Sequence, residues 1–311
     1  MSGFSRTCST GFSRTRNGQP KGGDYVRVRW IALLVSCACA GAVPAAQAPA
    51  RIVSTSPSIT ETLFALDLGP RVVAVSRYCR YPPEVTALPK IGTFLQPDVE
   101  LIARLDPDMA IVHPNPNGVT RQLGALRVPF VTVEQGGLGR VYSSIRVIGM
   151  AAGVPDRARA LVATLQARLD RVRAAVASRR AQRVLIIVGR RPGTLTDLIA
   201  VGRSSYLSDL VAVAGGTNVL AGNTFEYPRI SMETVIRLAP DVIIDAGDMG
   251  DLPEDRRARQ VATEGLWKQQ PLAAARAGRV HAVVSDAFVV PGPRVVEVAE
   301  TMAQWLHGIS F

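Results

Sequence analysis

Histidine and carboxylate side chains are the groups in this chain that could bind a metal ion or move a proton. The histidines are His113, His281 and His307, and a metal-inserting enzyme would pair His113 or His281 with Glu134. Neither pair has the spacing of metal ligands, and the sequence contains no H-E-x-x-H motif, nucleophile elbow or phosphate-binding loop. Capture of Zn²⁺ or Mn²⁺ needs several His or carboxylate ligands, and His307 falls on the predicted terminal helix. The sequence therefore predicts neither an enzyme nor a resident metal or cofactor.

Carboxylates also occur in a phrase that the chain repeats. ELIARLDPDMAIV begins at Glu100, and ETVIRLAPDVIID begins at Glu233, 133 residues later. Asp98 and Ser231 stand two positions earlier, so each can cap a helix whose first turn contains the glutamate. The helix dipole favours such a glutamate by about 0.3–1 kcal/mol without any further role. Capping does not explain why both copies keep a glutamate at matching, solvent-facing helix ends.

The net charge is a second candidate source of function. The 311 residues include 36 Lys and Arg against 25 Asp and Glu, a formal charge of +11. Six of the basic residues and one acid fall in the first 48 positions, so the remainder has 30 basic against 24 acidic residues, or +6. These charges form no basic run with interleaved aromatics, and most fit solvated helix faces such as RARALVATLQARLDRVRAAVASRR. We therefore predict no nucleic-acid partner.

Residues 1–48 are predicted to be a leader with a signal peptide. Arg27 and Arg29 precede the apolar run WIALLVSCACAGAV, and Ala46 and Ala48 form a small-x-small cleavage pattern. The run is too short to remain as a membrane-spanning helix. Cleavage after Ala48 would release an exported, periplasmic protein. The alternative is that LVSC is a lipoprotein box and that a lipid on Cys37 anchors the mature chain to the membrane.

The segments that must position the remaining residues alternate between strands and helices. Short β-branched runs at Arg51, Val72, Met109 and Phe130 predict strands, and SITETLFALDLG between the first two predicts a helix ending at Gly69. Cys79, the single cysteine after the leader, is expected to be a small buried residue. Almost forty residues without a strand signal follow, with helical spacing after Pro155. Strands resume at Val184, Val242 and Val280, and the chain closes on a helix from about Pro293 to Trp305.

This order of segments predicts an α/β protein of two lobes, each with a mainly parallel central sheet, joined by a single long helix. We assign residues 49–140 to an N-terminal α/β lobe, 141–181 to a linking helical segment and 182–311 to a C-terminal α/β lobe.

Five motifs, in this order, resemble one family. They are SRYCRYPPEV, IGTFLQPDVELI, AGGTNVL, YPRISMETV and SDAFVVPGPR. From about Arg51 to the C-terminus the chain resembles the periplasmic binding proteins of cobalamin and iron-siderophore ABC importers, with the cobalamin branch looking closest. The resemblance implies a monomer that holds its ligand between the lobes and delivers it to an ABC permease dimer in the inner membrane. It also implies one docking glutamate in each lobe, and Glu100 and Glu233 occupy those two positions.

The resemblance also implies a ligand site lined by aromatic side chains, which suit a flat corrinoid such as cobalamin because they bury a large area with little loss of rotamer freedom. Cobalamin would be a transported ligand and not a cofactor. The positions that match are Tyr78, Phe94, Tyr227, Asp286 and Phe288, with Asp286 accepting hydrogen bonds.

Two positions depart from the cobalamin branch. His113 stands where an aromatic is expected at the end of a strand, and Ala287 stands where tryptophan is frequent. His113 is expected to contact the ligand, ligate a metal centre or cap its strand.

Other ligands and one other function stay open. Six arginines near predicted strand ends would favour an anionic ferric siderophore or haem if several of them faced the cleft; they are Arg77, Arg80, Arg190, Arg191, Arg203 and Arg229. A tetrapyrrole metal chelatase shares the two-lobed plan and is the competing enzyme hypothesis.

Overall fold

A computed structural model describes residues 48–247 and 256–311 of the chain. The predicted leader, including Cys37, lies outside the described residues apart from Ala48. Within these two ranges, no helix combines the length and the apolar composition that crossing a bilayer requires.

The first sheet is entirely parallel, with the strand order β2-β1-β3-β4. Its strands are β1 (Ile52–Ser54), β2 (Val72–Val75), β3 (Met109–Val112) and β4 (Phe130–Thr132). The helices between them are α1 (Pro57–Ala65), α2 (Val99–Arg104) and α3 (Val119–Ala125). Every residue of β1 and β3 is buried, as expected for strands that helices cover on both faces. The four predicted strands are confirmed.

Helix α1 is shorter than the sequence predicted. It ends at Ala65 and not at Gly69, because Asp67 adopts a left-handed conformation (φ 58°) that stops the helical hydrogen bonding. A short 3₁₀ turn, Gly69–Arg71, then leads into β2.

The second sheet is mixed, with the order β10-β9-β5-β6-β8 and β7 paired to β5. Its strands are β5 (Gln182–Gly189), β6 (Leu198–Ala200), β7 (Gly216–Asn218), β8 (Arg229–Ile230), β9 (Val242–Asp245) and β10 (Val280–Ala282). Its helices are α6 (Tyr206–Val213), α7 (Met232–Leu238), α8 (Arg256–Lys268), α9 (Ala273–Arg276) and α10 (Val295–His307). The pairs β5–β6 and β6–β8 are antiparallel. The sequence analysis missed the two- and three-residue strands β6, β7 and β8, which are too short to show a periodicity.

Two helices connect the sheets: α4 (Leu138–Ala151) and the 22-residue α5 (Pro155–Val176). Gly153, with φ 77°, ends the first, and Pro155 opens the second. Gly149 lets them pack closely, because a Cβ there would lie 2.3 Å from the Cβ of Ala158. The long linking helix predicted after Pro155 is therefore α5.

A single apolar core runs through the linking helices into both sheets. Its buried members include Leu63 of α1, Ile145 of α4, Leu169 of α5, Ile186 of β5 and Val298 of α10. Smaller cores cover the outer face of each sheet. Because the interior is close-packed and continuous here, the helices join the two sheets without a flexible linker.

Candidate ligand-binding cleft

The loops at the carboxyl ends of the parallel strands contain most of the predicted ligand-binding residues. In open α/β sheets, ligands bind outside this edge, because strand ends and helix starts meet there. In the first sheet the edge consists of the residues after β1, β2, β3 and β4, which include Ser56, Tyr78, His113 and Val133. In the second sheet, Asp286 follows β10.

Two tyrosines project from the loop after β2. Tyr78 and Tyr81 are 47% and 44% exposed, so a large part of each residue is open to solvent. The guanidinium carbon of Arg77 lies 5.3 Å from the centre of the Tyr78 ring, and that of Arg294 lies 4.3 Å from the centre of the Tyr81 ring. The sequence analysis predicted Tyr78 and missed Tyr81. The same signal, an aromatic beside prolines at a strand end, would have identified it.

His113 is buried just after β3, and both of its ring nitrogens form hydrogen bonds within the protein. Nδ1 lies 2.8 Å from the Val133 carbonyl and must donate to it, so Nε2 accepts from the hydroxyls of Ser56 (2.9 Å) and Ser58 (3.2 Å). Burial lowers the pKa of His113, which keeps the ring neutral. Both ring nitrogens therefore have protein partners, the arrangement expected of a strand cap.

Phe94 packs edge-on against the His113 ring, with 6.3 Å between the ring centres. The structure thus brings two predicted site residues together. The Asn115 side chain donates to the Phe94 carbonyl (3.0 Å) and holds the loop in place. Leu95, the next residue, lines a shallow pocket of about 270 Å³. The polar residues of that pocket include Gln96, Asn115 and Asn117.

The loop before β8 presents the aromatic residues of the second sheet. Tyr227 is 43% exposed, and its hydroxyl accepts a hydrogen bond from Ser205 (3.3 Å). Phe225, two residues earlier, is more exposed still. Gly202 allows this loop to approach, because a Cβ at that position would lie 1.8 Å from the Phe225 carbonyl oxygen. The aromatic pair is thereby held in place by backbone packing.

Asp286 is part of an ion network that joins the two sheets. Its Oδ1 accepts from Arg294 (2.9 Å), while its side chain is 27% exposed and can accept a further hydrogen bond. Arg294 also donates from Nε to Oε2 of Glu61 on α1 (2.9 Å), and a second nitrogen bonds Oε1 of Glu61. The sequence analysis did not identify Glu61 or Arg294, which lie 233 positions apart.

Phe288, another predicted site residue, is buried in the core. Ser285 caps a 3₁₀ turn, Asp286–Val289, which leaves Asp286 partly exposed and buries Phe288 at 4% exposure. The Phe288 ring stacks on Trp305 (5.3 Å), whose other neighbour is His281 (4.8 Å). His281 therefore packs on an aromatic ring, and the structure does not show it pairing with Glu134, which forms an ion pair with Arg140.

The six predicted arginines differ in pairing and in exposure. Arg190 is fully buried against Asp245 (3.0 Å), and Arg191 pairs with Asp197 (2.9 Å). Arg80 is partly buried, whereas Arg77, Arg203 and Arg229 are exposed. The exposed arginines, Arg77, Arg203 and Arg229, are the ones that solvent or a ligand can reach.

The repeated phrase forms the same structure in both sheets, a capped helix whose far end is hydrogen-bonded to the start of a strand; we call this structure the repeated joint. Asp98 caps α2 by accepting from the Leu101 amide (2.8 Å), and Ser231 caps α7 by accepting from the Thr234 amide (3.2 Å). Glu100 and Glu233 lie exposed in the first turns, so the capping prediction is confirmed for both helices.

The rest of the phrase closes each joint at the opposite end of the helix. Asp108 accepts from the Arg51 amide (2.8 Å) at the start of β1, and Asp241 accepts from the Arg183 amide (2.9 Å) at the start of β5. The same two arginines donate from their guanidinium groups to the last carbonyls of α2 and α7, each at 2.6 Å. Hydrogen bonds thus account for the two aspartates and for the leucine carbonyls of the repeat, whereas they do not account for the exposed glutamates.

The family model described as periplasmic binding protein matches residues 52–287. The chain belongs to the periplasmic binding protein family. Its relatives include a vitamin B12-binding protein of Pectobacterium carotovorum, which is 26% identical and is matched over 90% of this chain and 95% of its own length.

Solved structures of the family share the fold. The vitamin B12-binding protein BtuF of Vibrio cholerae has a TM-score of 0.67 at 25% identity, covering 83% of this chain and 96% of its own. A periplasmic haem-binding protein from Pseudomonas aeruginosa has a TM-score of 0.71 at 27% identity, covering 85% and 94%. The chain therefore shares its family and its fold with proteins that are named for binding vitamin B12 or haem.

Proposed function

We propose that this protein captures a corrinoid, cobalamin, in the cleft and delivers it to an ABC permease. The observation that supports this choice is the set of exposed tyrosines at the edges of both sheets, Tyr78 and Tyr81 on the first and Tyr227 on the second. A corrinoid is a broad, flat ring with peripheral amides. Aromatic faces bury its apolar surface, while Asp286 and the tyrosine hydroxyls accept hydrogen bonds from its amides.

The state of the buried charges also favours a neutral ligand over an anionic one. Arg294 is neutralised by Glu61 and Asp286, and Arg190 by Asp245. A carboxylate-bearing ligand would need cations that are not already paired, because an ion pair formed with a neutralised arginine must displace its partner.

Haem or a ferric siderophore is the second candidate. Arg77, Arg203 and Arg229 are exposed and could pair with carboxylates of an anionic ligand. Similar structures that bind haem support this alternative as well. Arg77 also covers the Tyr78 ring, so one cation and one aromatic lie together at the cleft edge.

Calorimetry decides between the two. The protein without its leader is titrated with cyanocobalamin, haemin and a panel of ferric siderophores. We expect one-to-one binding of cyanocobalamin and at least tenfold weaker binding of the others. Binding of haemin or a ferric siderophore without binding of cyanocobalamin would contradict the cobalamin assignment and leave the transport role in place.

Delivery completes the proposal. Glu100 and Glu233 are proposed to dock on arginines of a permease dimer, with one carboxylate presented by each sheet's repeated joint. We further propose that the mature protein is a periplasmic monomer released by cleavage after Ala48, with a lipid anchor on Cys37 as the alternative.

A further inference from the structure

The Arg294 side chain contacts three groups at the junction of the two sheets. They are the Glu61 carboxylate on α1, the Asp286 carboxylate after β10 and the Tyr81 ring after β2. Arg294 is also the N-cap residue of α10, although its side chain makes no capping hydrogen bond there. A planar guanidinium can bind a carboxylate with two nitrogens and stack on a ring at the same time, which an ammonium group cannot.

The chain segment around Arg294 is pressed against α1. A Cβ at Gly292 would lie 3.3 Å from Oε2 of Glu61 and 3.6 Å from the Cα of Ser58. Pro291 lines the same narrow crevice as Ser58, Thr62 and His113. Arg294 thus has little room to move, and its orientation is determined by residues from both sheets.

The positive charge of Arg294 is neutralised by ion pairs within the protein. Burial lowers the pKa of Arg294, but the hydrogen bonds and charges of Glu61 and Asp286 outweigh this and raise it overall, so the group stays cationic. Glu61 is itself buried, and an unpaired charge on either side would be strongly unfavourable. Arg294 is therefore poorly suited to contact an anionic ligand directly, whereas its guanidinium carbon lies 4.3 Å from the centre of the exposed Tyr81 ring.

We propose that Arg294 is a positioning residue that acts through Tyr81: anchored by Glu61 and Asp286, its guanidinium holds the Tyr81 ring in the orientation that receives the ligand. This inference rests on the proposed capture of a planar ligand in the cleft. It predicts that ligand affinity depends on Arg294 although the ligand does not touch it.

The first test needs no ligand. Tyrosine ring carbons are labelled with ¹³C, and the Tyr81 signals are assigned with Tyr81→Phe. We expect Arg294→Lys, which keeps the charge but lacks the fork and the flat face, to shift or broaden the Tyr81 signals. Arg168→Lys is the matched control, because Arg168 binds both oxygens of Glu300 at 2.9 Å between α5 and α10. Unchanged Tyr81 signals in Arg294→Lys would overturn the proposal.

The second test is a double-mutant cycle on binding. The ligand is cyanocobalamin, or haemin if the unaltered protein binds only haemin; that result alone would refute the cobalamin assignment and still permit the cycle. We expect Arg294→Lys and Tyr81→Ala each to raise Kd at least tenfold, and the double variant to be within about twofold of Tyr81→Ala. If the fold-increase in Kd of the double variant equals the product of the two single increases, Arg294 acts independently of Tyr81 and the proposal is refuted.

A second variant tests the same proposal if Arg294→Lys does not fold. Glu61→Gln keeps the arginine and the shape of the carboxyl side chain, but it removes the charge and replaces one of the two acceptor oxygens with an NH2 donor. We expect its Tyr81 signals to shift and its Kd to rise, with Arg168→Lys again unchanged. Wild-type Tyr81 signals in a folded Glu61→Gln protein would contradict the anchoring role.

Discussion

At the scale of single residues, the repeated joint contains one position whose backbone conformation conflicts with its side chain. Ala239 has φ 42° where α7 ends, and Asp106 has φ 45° at the matching position after α2. An L-residue pays about 1–2 kcal/mol in the left-handed conformation, whereas glycine adopts it freely. Ala239 is exposed, so its methyl group contributes little packing to offset this cost.

Ala239→Gly should therefore raise the free energy of unfolding by about 0.5–1 kcal/mol, after the entropic cost of glycine in the unfolded chain is subtracted. The control is Ala177→Gly at the end of α5, where the backbone is right-handed (φ −56°) and glycine should destabilise by about 0.5–1 kcal/mol. Urea unfolding of the two variants checks the opposite signs. Destabilisation by both would show that the left-handed turn is not strained.

At the scale of secondary structure elements, the first turns of α2 and α7 present the matched carboxylates. If Glu100 and Glu233 act only on the helix dipoles, changing both to glutamine should cost at most about 2 kcal/mol of stability and leave delivery unaffected. If they dock, each pairs with a permease arginine, and losing one partner should cost about 2–5 kcal/mol of association. Ligand affinity of the isolated protein should stay normal in either case.

The measurement is binding of the variants to reconstituted permease, with ligand titration of the same samples. The double change to lysine should bind more weakly than the double change to glutamine, because repulsion replaces attraction. Asp156→Asn is the matched control, since Asp156 is also an exposed acid in a helix first turn, that of α5. Normal permease binding by the double lysine variant would leave both glutamates with a capping role alone.

At the scale of the whole molecule, the continuous core through α4 and α5 holds the aromatic edges of the two sheets in a defined arrangement. A ligand that contacts both edges should depend on residues from each. Tyr78→Ala and Tyr227→Ala should each weaken ligand binding by about 1–3 kcal/mol, because aromatic anchors dominate such interfaces. Both side chains are exposed, so unfolding free energies should change little.

Phe288→Leu serves as the comparison, because that ring lies in the core against Trp305. It should lower the free energy of unfolding and leave ligand affinity within about twofold. Calorimetry and urea unfolding on all three variants check both predictions. Unchanged ligand affinity in both single variants, Tyr78→Ala and Tyr227→Ala, would show that the ligand binds elsewhere.

The sequence alone determined the features that depend on neighbouring residues. Strands β1, β2, β3 and β4, the caps Asp98 and Ser231 and the long helix after Pro155 follow from local periodicity, capping chemistry and proline, which act over a few positions. The family also follows from short motifs in order. The helix end at Ala65 and the strand β8 were missed, because a single left-handed residue and a two-residue strand leave no periodic signal.

Only the tertiary structure decided which side chains meet. Glu61 and Arg294 form one ion network across 233 positions, and no local pattern announces a partner at that distance. Phe288 and Asp286 are two residues apart and both were candidates, yet a 3₁₀ turn buries the first and leaves the second partly exposed. Side-chain direction in an irregular segment depends on backbone angles that packing selects, so the candidate site was assembled by contacts between elements.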